Sequence, residues 1–206
     1  MVTASTLVFG TFLALLTPML GGWSDDWSSI REAAGRVNSV QAEFVQTKTL
    51  KVLKRPLVSK GHLYYQRPGK IRWEYTSPVK CLVILDEKGL RRYVWREGAF
   101  VPDASAQTKP LQRVFREMGM WLGGDFAGSR VFSSTLVRGQ PTQVQLTPRD
   151  ETIRKYVTRV DVLLSSVPGV VDSITIREGP DTSTRIAFSA VQVNRPIPAH
   201  LFAETQ

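Results

Sequence analysis

The sequence predicts a mainly β protein of the α+β class, in which about ten antiparallel strands curl into a barrel or half-barrel. Three observations lead to this prediction: short runs of alternating apolar and polar residues, Gly- and Pro-containing turns between them, and only two segments with helical spacing. Curling removes the long exposed edges that so many sequential strands would otherwise present. Because two apolar helices are all that is available to fill the interior of a 206-residue chain, the pattern favours a ligand cavity inside the curved sheet.

The best-defined element is a β-hairpin with strands at 57–66 and 70–76. Its turn is Arg67-Pro68-Gly69-Lys70, because Pro68 lacks a backbone donor and Gly69 tolerates a positive φ. Apolar and polar residues alternate in the second strand, which places the apolar side chains on one face of the sheet. The predicted apolar face consists of Leu63, Tyr65, Ile71, Trp73 and Tyr75, with Arg72, Glu74 and Thr76 on the opposite face.

The remaining elements follow from the same signals. A first helix is predicted at about residues 25–38, after the N-cap candidates Ser24 and Asp25. With the hairpin, strands at 40–49, 80–86 and 90–96 form an antiparallel meander. A loop at 101–110 and a second helix follow, and the helix ends at Gly123 and Gly124. Strands then resume at 130–137, 143–147, 155–164, 170–176 and 184–193.

A stripe of bulky apolar residues defines the second helix, because its members recur at the spacing of one helical face. Two interpretations of this helix are open from the residues alone. It caps the core of the sheet, or it is a lid whose inner face contacts a ligand. The stripe consists of Leu111, Val114, Phe115, Met118 and Trp121.

Composition and charge argue against several classes of function. The 27 Lys and Arg residues against 18 Asp and Glu residues give a net charge of +9 and a pI near 10.0, which favours acidic partners. Nucleic acid is not predicted as a partner, because the basic residues are scattered along strands without a recognition helix or a zinc-ligand set. The single cysteine, Cys81, lies in an apolar strand and is predicted to be a core thiol. His62 and His200 show no ligand spacing, so no metal, cofactor or His base is predicted, and the chain is not expected to be an enzyme.

The first segment, residues 1–22, is predicted to be a secretory signal peptide. Val2–Leu20 has no charged residue, and its apolar run Leu7–Leu16 is shorter than the roughly 20 residues of a membrane span. The run lacks a basic flank and an A-x-A cleavage site, so retention as an anchor stays open. Export is favoured, with residues 23–206 as a single domain.

Short motifs along the chain resemble the LolA family, the periplasmic carriers of outer-membrane lipoproteins in Gram-negative bacteria. The similarity covers nearly the whole mature chain, and the order and spacing of the motifs are more specific than any one of them. The matching residues are Phe44-x-Gln46, Gly61, Arg67-Pro68-Gly69, Ile71-Arg72-Trp73-Glu74-Tyr75, Pro78, Asn194-Arg195-Pro196-Ile197-Pro198 and Leu201-Phe202. The run Phe44 to Ser59 resembles a divergent branch of the family.

The resemblance implies an unclosed antiparallel β half-barrel of about ten to eleven strands, with a helical lid over an apolar cavity for acyl chains. It implies that Arg67 donates hydrogen bonds to backbone carbonyls of the lid and so holds the empty carrier closed. It also implies that Trp73 is a wall of the cavity. On this interpretation Leu63, Tyr65, Ile71, Trp73 and Tyr75 on the sheet face Leu111, Val114, Phe115, Met118 and Trp121 on the lid.

The function predicted from these features is a non-enzymatic periplasmic carrier, expected to be a monomer. Its partners would be acylated lipoprotein or lipid cargo, an inner-membrane lipoprotein-releasing ABC transporter and an outer-membrane acceptor. The identity of the cargo is open, because Lys88–Phe100 is unusually basic. The alternative is a lipid-sensing regulatory domain of the same fold that signals to a membrane partner. A lipid-modifying enzyme is disfavoured, since no nucleophile is paired with a base.

Overall fold

The computed structural model describes residues 26–103 and 108–203, with side chains of the second range from residue 112 onward. The predicted signal peptide at 1–22, the N-cap candidates Ser24 and Asp25, and the side chain of Leu111 therefore lie outside the described residues. Within the described ranges, no helix is long and apolar enough to span a membrane.

Eleven strands form one continuous sheet in the described chain. Their bounds are β1 (Ser39–Thr49), β2 (Leu57–Gln66), β3 (Lys70–Ser77), β4 (Cys81–Asp86), β5 (Gly89–Arg96), β6 (Ala99–Pro102), β7 (Phe132–Val137), β8 (Gln143–Pro148), β9 (Arg159–Leu164), β10 (Val171–Arg177) and β11 (Ser183–Val193). Their order in space is β6-β5-β4-β3-β2-β1-β11-β10-β9-β8-β7, with antiparallel pairing of neighbours. Because β6 and β7 lie at opposite edges, the sheet is unclosed, and the predicted mainly β fold is confirmed.

The helices of the described residues are α1 (Trp27–Gly35), α2 (Thr108–Leu122), α3 (Glu151–Arg154) and α4 (His200–Ala203). The N-cap of α1 is Asp26, which follows the two predicted candidates, Ser24 and Asp25, and its carboxylate accepts a hydrogen bond from the backbone N of Ser29 at 2.8 Å. α2 stops at the predicted glycine pair, where Gly124 has a φ of +75°. This conformation lets the chain leave the helix sharply and return to the sheet.

Three elements differ from the sequence prediction. β6 occupies part of the predicted loop at 101–110, and Pro102 ends it at the edge of the sheet, where a residue without an N–H is tolerated. α3 precedes a shortened β9, because Asp150 accepts a hydrogen bond from the backbone N of Thr152 at 2.7 Å and caps a helical turn. α4 has only four residues, too few to show helical periodicity in the sequence.

The main core lies between the sheet and the two longer helices. Ile30 of α1 and Met118 and Trp121 of α2 are buried in one hydrophobic cluster with residues of both halves of the sheet. The thiol of Cys81 is buried and unbonded to another cysteine, as predicted for a core thiol. The helices therefore cover one face of the curved sheet and leave the strands themselves to form the walls.

The opposite face of the hairpin, on which Arg72 was predicted to lie, is also covered. Arg72 is only 3% exposed, because the chain returns after β11 and packs α4 against β3 and β4. Its guanidinium pairs with Glu74 at 2.8 Å and donates to the carbonyl oxygen of Leu201 at 2.9 Å. The register places Ile84 opposite Arg72, and Ile84 is fully buried. Burial on both faces explains why β4 is a continuous apolar run rather than an alternating one.

Asn194 fastens the returning carboxyl-terminal segment to the chain after α1. It has a φ of +56°, its side-chain oxygen accepts from the backbone N of Asn38 at 2.7 Å, and its amide donates to the carbonyl of Arg36 at 2.9 Å. We expect Asn194→Ala to lower the free energy of unfolding by about 2–3 kcal/mol, from lost hydrogen bonds and strain at positive φ. Urea denaturation would measure this. Asn194→Gly should recover the part due to backbone strain, and equal stability of Asn194→Ala and wild type would contradict the assignment.

Candidate functional site

The inner face of the sheet carries a cluster of aromatic rings, formed by Phe44, Trp73, Tyr75, Phe115 and Phe188. The rings of Phe44 and Trp73 lie 4.3 Å apart, and Tyr75 meets Phe44 edge-on at 5.3 Å. Phe115 reaches down from α2 and meets Trp73 edge-on at 6.0 Å. Phe188 closes the cluster from β11, at 6.2 Å from Trp73. The cluster therefore joins both halves of the sheet to the helix above it.

The alternation seen in the sequence produces this cluster. In the β2–β3 register Leu63 lies opposite Trp73 and Tyr65 lies opposite Ile71, and all four side chains are buried. Tyr75 is less buried than these and donates a hydrogen bond to the side-chain oxygen of Gln46 at 2.9 Å. Burial raises the pKa of the Tyr75 phenol, so this group stays a neutral hydrogen-bond donor at neutral pH.

The apolar stripe of α2 is only partly directed at this cluster. Phe115, Met118 and Trp121 are buried, as is Leu122, which the predicted stripe did not include. Val114 differs, because its side chain is 45% exposed, so the structure does not place it in the buried interior with the others. Trp121 packs edge-on against Phe132 at 5.5 Å, and its indole N–H has no acceptor among the described residues.

The interface between the helices and the sheet is closely packed. One gap of about 10 Å³ lies between Leu63, Leu122 and Phe188, and a second of about 10 Å³ lies near Ile30 and Trp121. A wider and more open cleft of about 350 Å³ runs along the edge of α2, lined by Tyr65, Gly69, Leu85, Arg116, Gly119 and Met120. Of the predicted cavity residues on the sheet, Trp73 thus contacts Phe115 of α2 and Leu63 lines a gap with Leu122, and contact with a ligand stays a prediction.

Arg67 ties the two covering helices to the hairpin turn. Its Nη2 donates to the carbonyl oxygen of Ala34 in α1 at 2.9 Å and to that of Gly123, just after α2, at 2.7 Å. Both carbonyls lie at carboxyl-terminal helix ends, where carbonyl groups lack helical partners and the helix dipole favours a cation. The tie to α1 could not be read from the sequence, because Ala34 carries no signal of a polar contact.

Tyr65 adds a second contact at the same place. A Cβ on Gly123 would lie only 2.9 Å from the Tyr65 hydroxyl, so the end of α2 rests directly on this ring. Burial raises the pKa of the Tyr65 phenol, while the positive charge of the adjacent Arg67 opposes that rise. Arg67, at the hairpin turn, thus contacts the ends of both helices, and Tyr65 contacts the end of α2.

The loop that returns from α2 to the sheet is held by a buried polar pair that sequence reasoning missed. Glu117, on α2, is buried and accepts a hydrogen bond from the hydroxyl of Ser129 at 2.7 Å. The Ser129 hydroxyl oxygen in turn accepts from the backbone N of Phe132 at 2.9 Å. This chain of bonds connects the middle of α2 to the start of β7, so movement of the helix would have to carry the loop with it.

The described residues offer no cluster of side chains for a metal ion. Within residues 26–103 and 108–203 there is no group of three or more His, Cys, Asp or Glu side chains that could hold a metal ion. What the site offers is an apolar, aromatic surface under two helices that a few polar contacts hold in place.

The chain is similar in sequence and in fold to known proteins. A family model described as outer membrane lipoprotein carrier protein LolA matches residues 35–205. The outer-membrane lipoprotein carrier protein of Nitrosomonas europaea is 24% identical over 186 residues, covering 86% of this chain and 83% of that protein. Its counterpart in Proteus mirabilis is 33% identical over 84 residues, 41% of this chain and 40% of that protein. The crystal structure of a LolA superfamily protein from N. europaea covers 86% of this chain and 97% of that chain, with 11% identity and a TM-score of 0.41.

Proposed function

Because the chain belongs to the LolA family of outer-membrane lipoprotein carrier proteins, we propose that it is a periplasmic carrier of lipoproteins or of a related acylated lipid. The observation that carries the proposal is the aromatic cluster, which is covered by helices rather than by a second sheet. Helices held at their ends can separate from a sheet without breaking its strand pairing. The acyl chains would then occupy the space between the aromatic cluster and α2.

The energetics of acyl chains explain why a carrier is needed. Each CH₂ group gains about 0.8 kcal/mol on leaving water, so a multiply acylated cargo faces a cost of tens of kcal/mol in an aqueous compartment. Large aromatic side chains offer wide apolar contact to such chains, and Met118 can repack around an irregular ligand. The indole N–H of Trp121 also lacks an acceptor in the described chain, and an ester carbonyl of an acylated cargo would supply one.

Transport requires release as well as binding. A rigid open container would hold its cargo too tightly for onward transfer, so closure of the helices onto the sheet must compete with the cargo. The contacts of Arg67 and Tyr65 with the helix ends favour the closed, empty state. The donor in this scheme is an inner-membrane lipoprotein-releasing transporter and the recipient is an outer-membrane acceptor.

The test is native mass spectrometry with lipid extraction, on protein purified without detergent from the periplasm of its host. A carrier should retain an acylated lipoprotein or lipid at one copy per chain. Protein that is reproducibly empty under these conditions would contradict the proposal. Depletion in the host separates a carrier from a sensor, because loss of a carrier mislocalises cargo, whereas loss of a sensor changes a stress response with cargo in place.

A matched pair of variants on α2 sharpens this test. Met118 is buried against the sheet, whereas Val114, one turn earlier on the same helix, is 45% exposed. Met118→Lys should reduce the retained lipid by about tenfold or more, because a charge in an apolar site is strongly disfavoured. Val114→Lys should leave it unchanged. Circular dichroism would verify that both variants are folded, and equal lipid retention would show that the cargo does not lie under α2.

A further inference from the structure

The connection between β1 and β2 exposes apolar side chains together with basic ones. We name residues 50–58, which comprise this connection and the first two residues of β2, the basic tip; its sequence is LKVLKRPLV. Val52 is 86% exposed and Leu57 is 52% exposed, and Leu53 and Val58 are also exposed. Neighbouring aliphatic groups that are this open to water usually mark a contact surface.

The charge of the basic tip has one sign. Lys51, Lys54 and Arg55 are exposed, and residues 50–58 contain no acidic side chain. Lys51 forms an open ion pair with Asp181 at 3.6 Å, from the turn between β10 and β11. Lys54 and Arg55 have no ion pair within the part of the chain that the structure describes. The tip thus presents a positive charge that the described residues only partly neutralise.

The tip also lies at the other end of β1 from the Arg67 turn. It follows Thr49 at the end of β1, whereas Ser39, at the start of β1, pairs with Gln66 beside the Arg67 turn. A strand of this length spans roughly 33 Å, at about 3.3 Å per residue. The tip can therefore meet a surface without obstructing the helix ends that Arg67 holds.

We propose that the basic tip docks the protein on the surface of an anionic phospholipid membrane. Its aliphatic side chains would enter the interface between headgroups and acyl chains, while Lys51, Lys54 and Arg55 meet the lipid phosphates. A lipid surface fits better than a protein partner, because the tip offers no aromatic anchor of the kind that dominates protein interfaces. This docking is a property separate from cargo binding, since it requires neither the aromatic cluster nor movement of α2.

Sedimentation with vesicles tests the electrostatic part. The full chain is mixed with vesicles of equal parts phosphatidylglycerol and phosphatidylcholine, or of phosphatidylcholine alone. Lys51→Gln/Lys54→Gln/Arg55→Gln should lower the partition coefficient about 100-fold on anionic vesicles, at about fivefold per basic residue. Added salt should weaken binding of the wild-type chain.

The control for net charge is Lys88→Gln/Arg138→Gln/Arg195→Gln, which removes three exposed positive charges from the opposite end of the sheet. It should bind as the wild type does. Equal loss of binding in the two triple variants would overturn the proposal, since it would show that overall charge alone is responsible. All variants share one amino-terminal segment, so any binding by that segment is common to them.

A fluorescent label tests the apolar part. Val52→Cys is labelled with an environment-sensitive dye, and Val167→Cys, an exposed position in the turn between β9 and β10 at the other end, serves as its control. Cys81 is buried and should stay unlabelled in the folded protein. Anionic vesicles should shift the emission of the dye at residue 52 to the blue and leave that at residue 167 unchanged. No shift with vesicles, or a shift only when a membrane protein is added, would overturn the proposal in favour of a protein partner.

Discussion

Gly61→Ala is expected to lower the free energy of unfolding by about 3 kcal/mol or more. A Cβ at this position would lie 1.9 Å from the carbonyl oxygen of Glu74 and 2.6 Å from the Cζ atom of Phe44. The oxygen belongs to the neighbouring strand, so it cannot withdraw without disturbing the β2–β3 register. The only other relief is displacement of the Phe44 ring from its contact with Trp73.

Thermal or urea denaturation would measure the effect, with an expected fall in melting temperature of about 6–12 °C for a chain of this size. The control is Gly35→Ala, because a Cβ on Gly35 meets nothing within 4 Å. Alanine at this helical position should be neutral or stabilising by up to about 1 kcal/mol. If both substitutions had the same small effect, close approach of β3 and Phe44 to Gly61 would not be a determinant of stability.

The same substitution should alter the site. Phe44 lies over Gly61 and stacks 4.3 Å from Trp73, so any adjustment to a methyl group at residue 61 moves the centre of the aromatic cluster. The match of Gly61 to the family pattern therefore has a physical basis. Because Gly61 has no side chain, the Phe44 ring of β1 can pack directly against the backbone of β2.

Local patterns were sufficient to predict most of the sheet. Apolar alternation and Gly- or Pro-containing turns gave nearly all strands, and the β2 bounds Leu57–Gln66 match the prediction. The turn prediction also holds, because Gly69 has a φ of +70°. These features are encoded within a few residues, so they do not depend on the arrangement of distant segments.

Features that depend on distant segments could not be predicted in this way. The alternation places Arg72 on the face opposite the apolar residues, but it carries no sign that the return of α4 buries that face. Val114 falls within the helical stripe but is exposed, since periodicity defines a helical face without saying which part of that face is covered. The contact of Arg67 with Ala34 joins residues 33 positions apart and is likewise decided by packing.

Arg67→Leu is expected to raise the affinity for an apolar probe and to slow its release. The substitution removes both hydrogen bonds to the helix ends, at Ala34 and Gly123. Hydrogen bonds from a charged donor contribute about 1.5–3 kcal/mol each, so the closed state should lose about 3 kcal/mol relative to the open one. That loss corresponds to a shift of up to about 100-fold in the closure equilibrium, and probe affinity rises because closure no longer competes as strongly.

Affinity would be measured by titration with a fluorescent fatty acid, and release by transfer of the bound probe to acceptor vesicles. The control is Arg36→Leu. Arg36 is an exposed arginine directly after α1, and its side chain pairs with Glu32 rather than with a backbone carbonyl. It should match the wild type in both assays. Arg67→Lys should lie between wild type and Arg67→Leu, since an ammonium group cannot reproduce the planar fork of donors.

The direction of the change distinguishes a gate from a purely structural residue. If Arg67 only supported the fold, Arg67→Leu would lower stability and weaken probe binding together, because a loosened site binds less. If Arg67 holds the helices closed against cargo, the same loss of stability in the closed state appears as tighter binding and slower transfer. Unchanged transfer would refute the gating role. Weaker binding would assign Arg67 to the support of the helix ends alone.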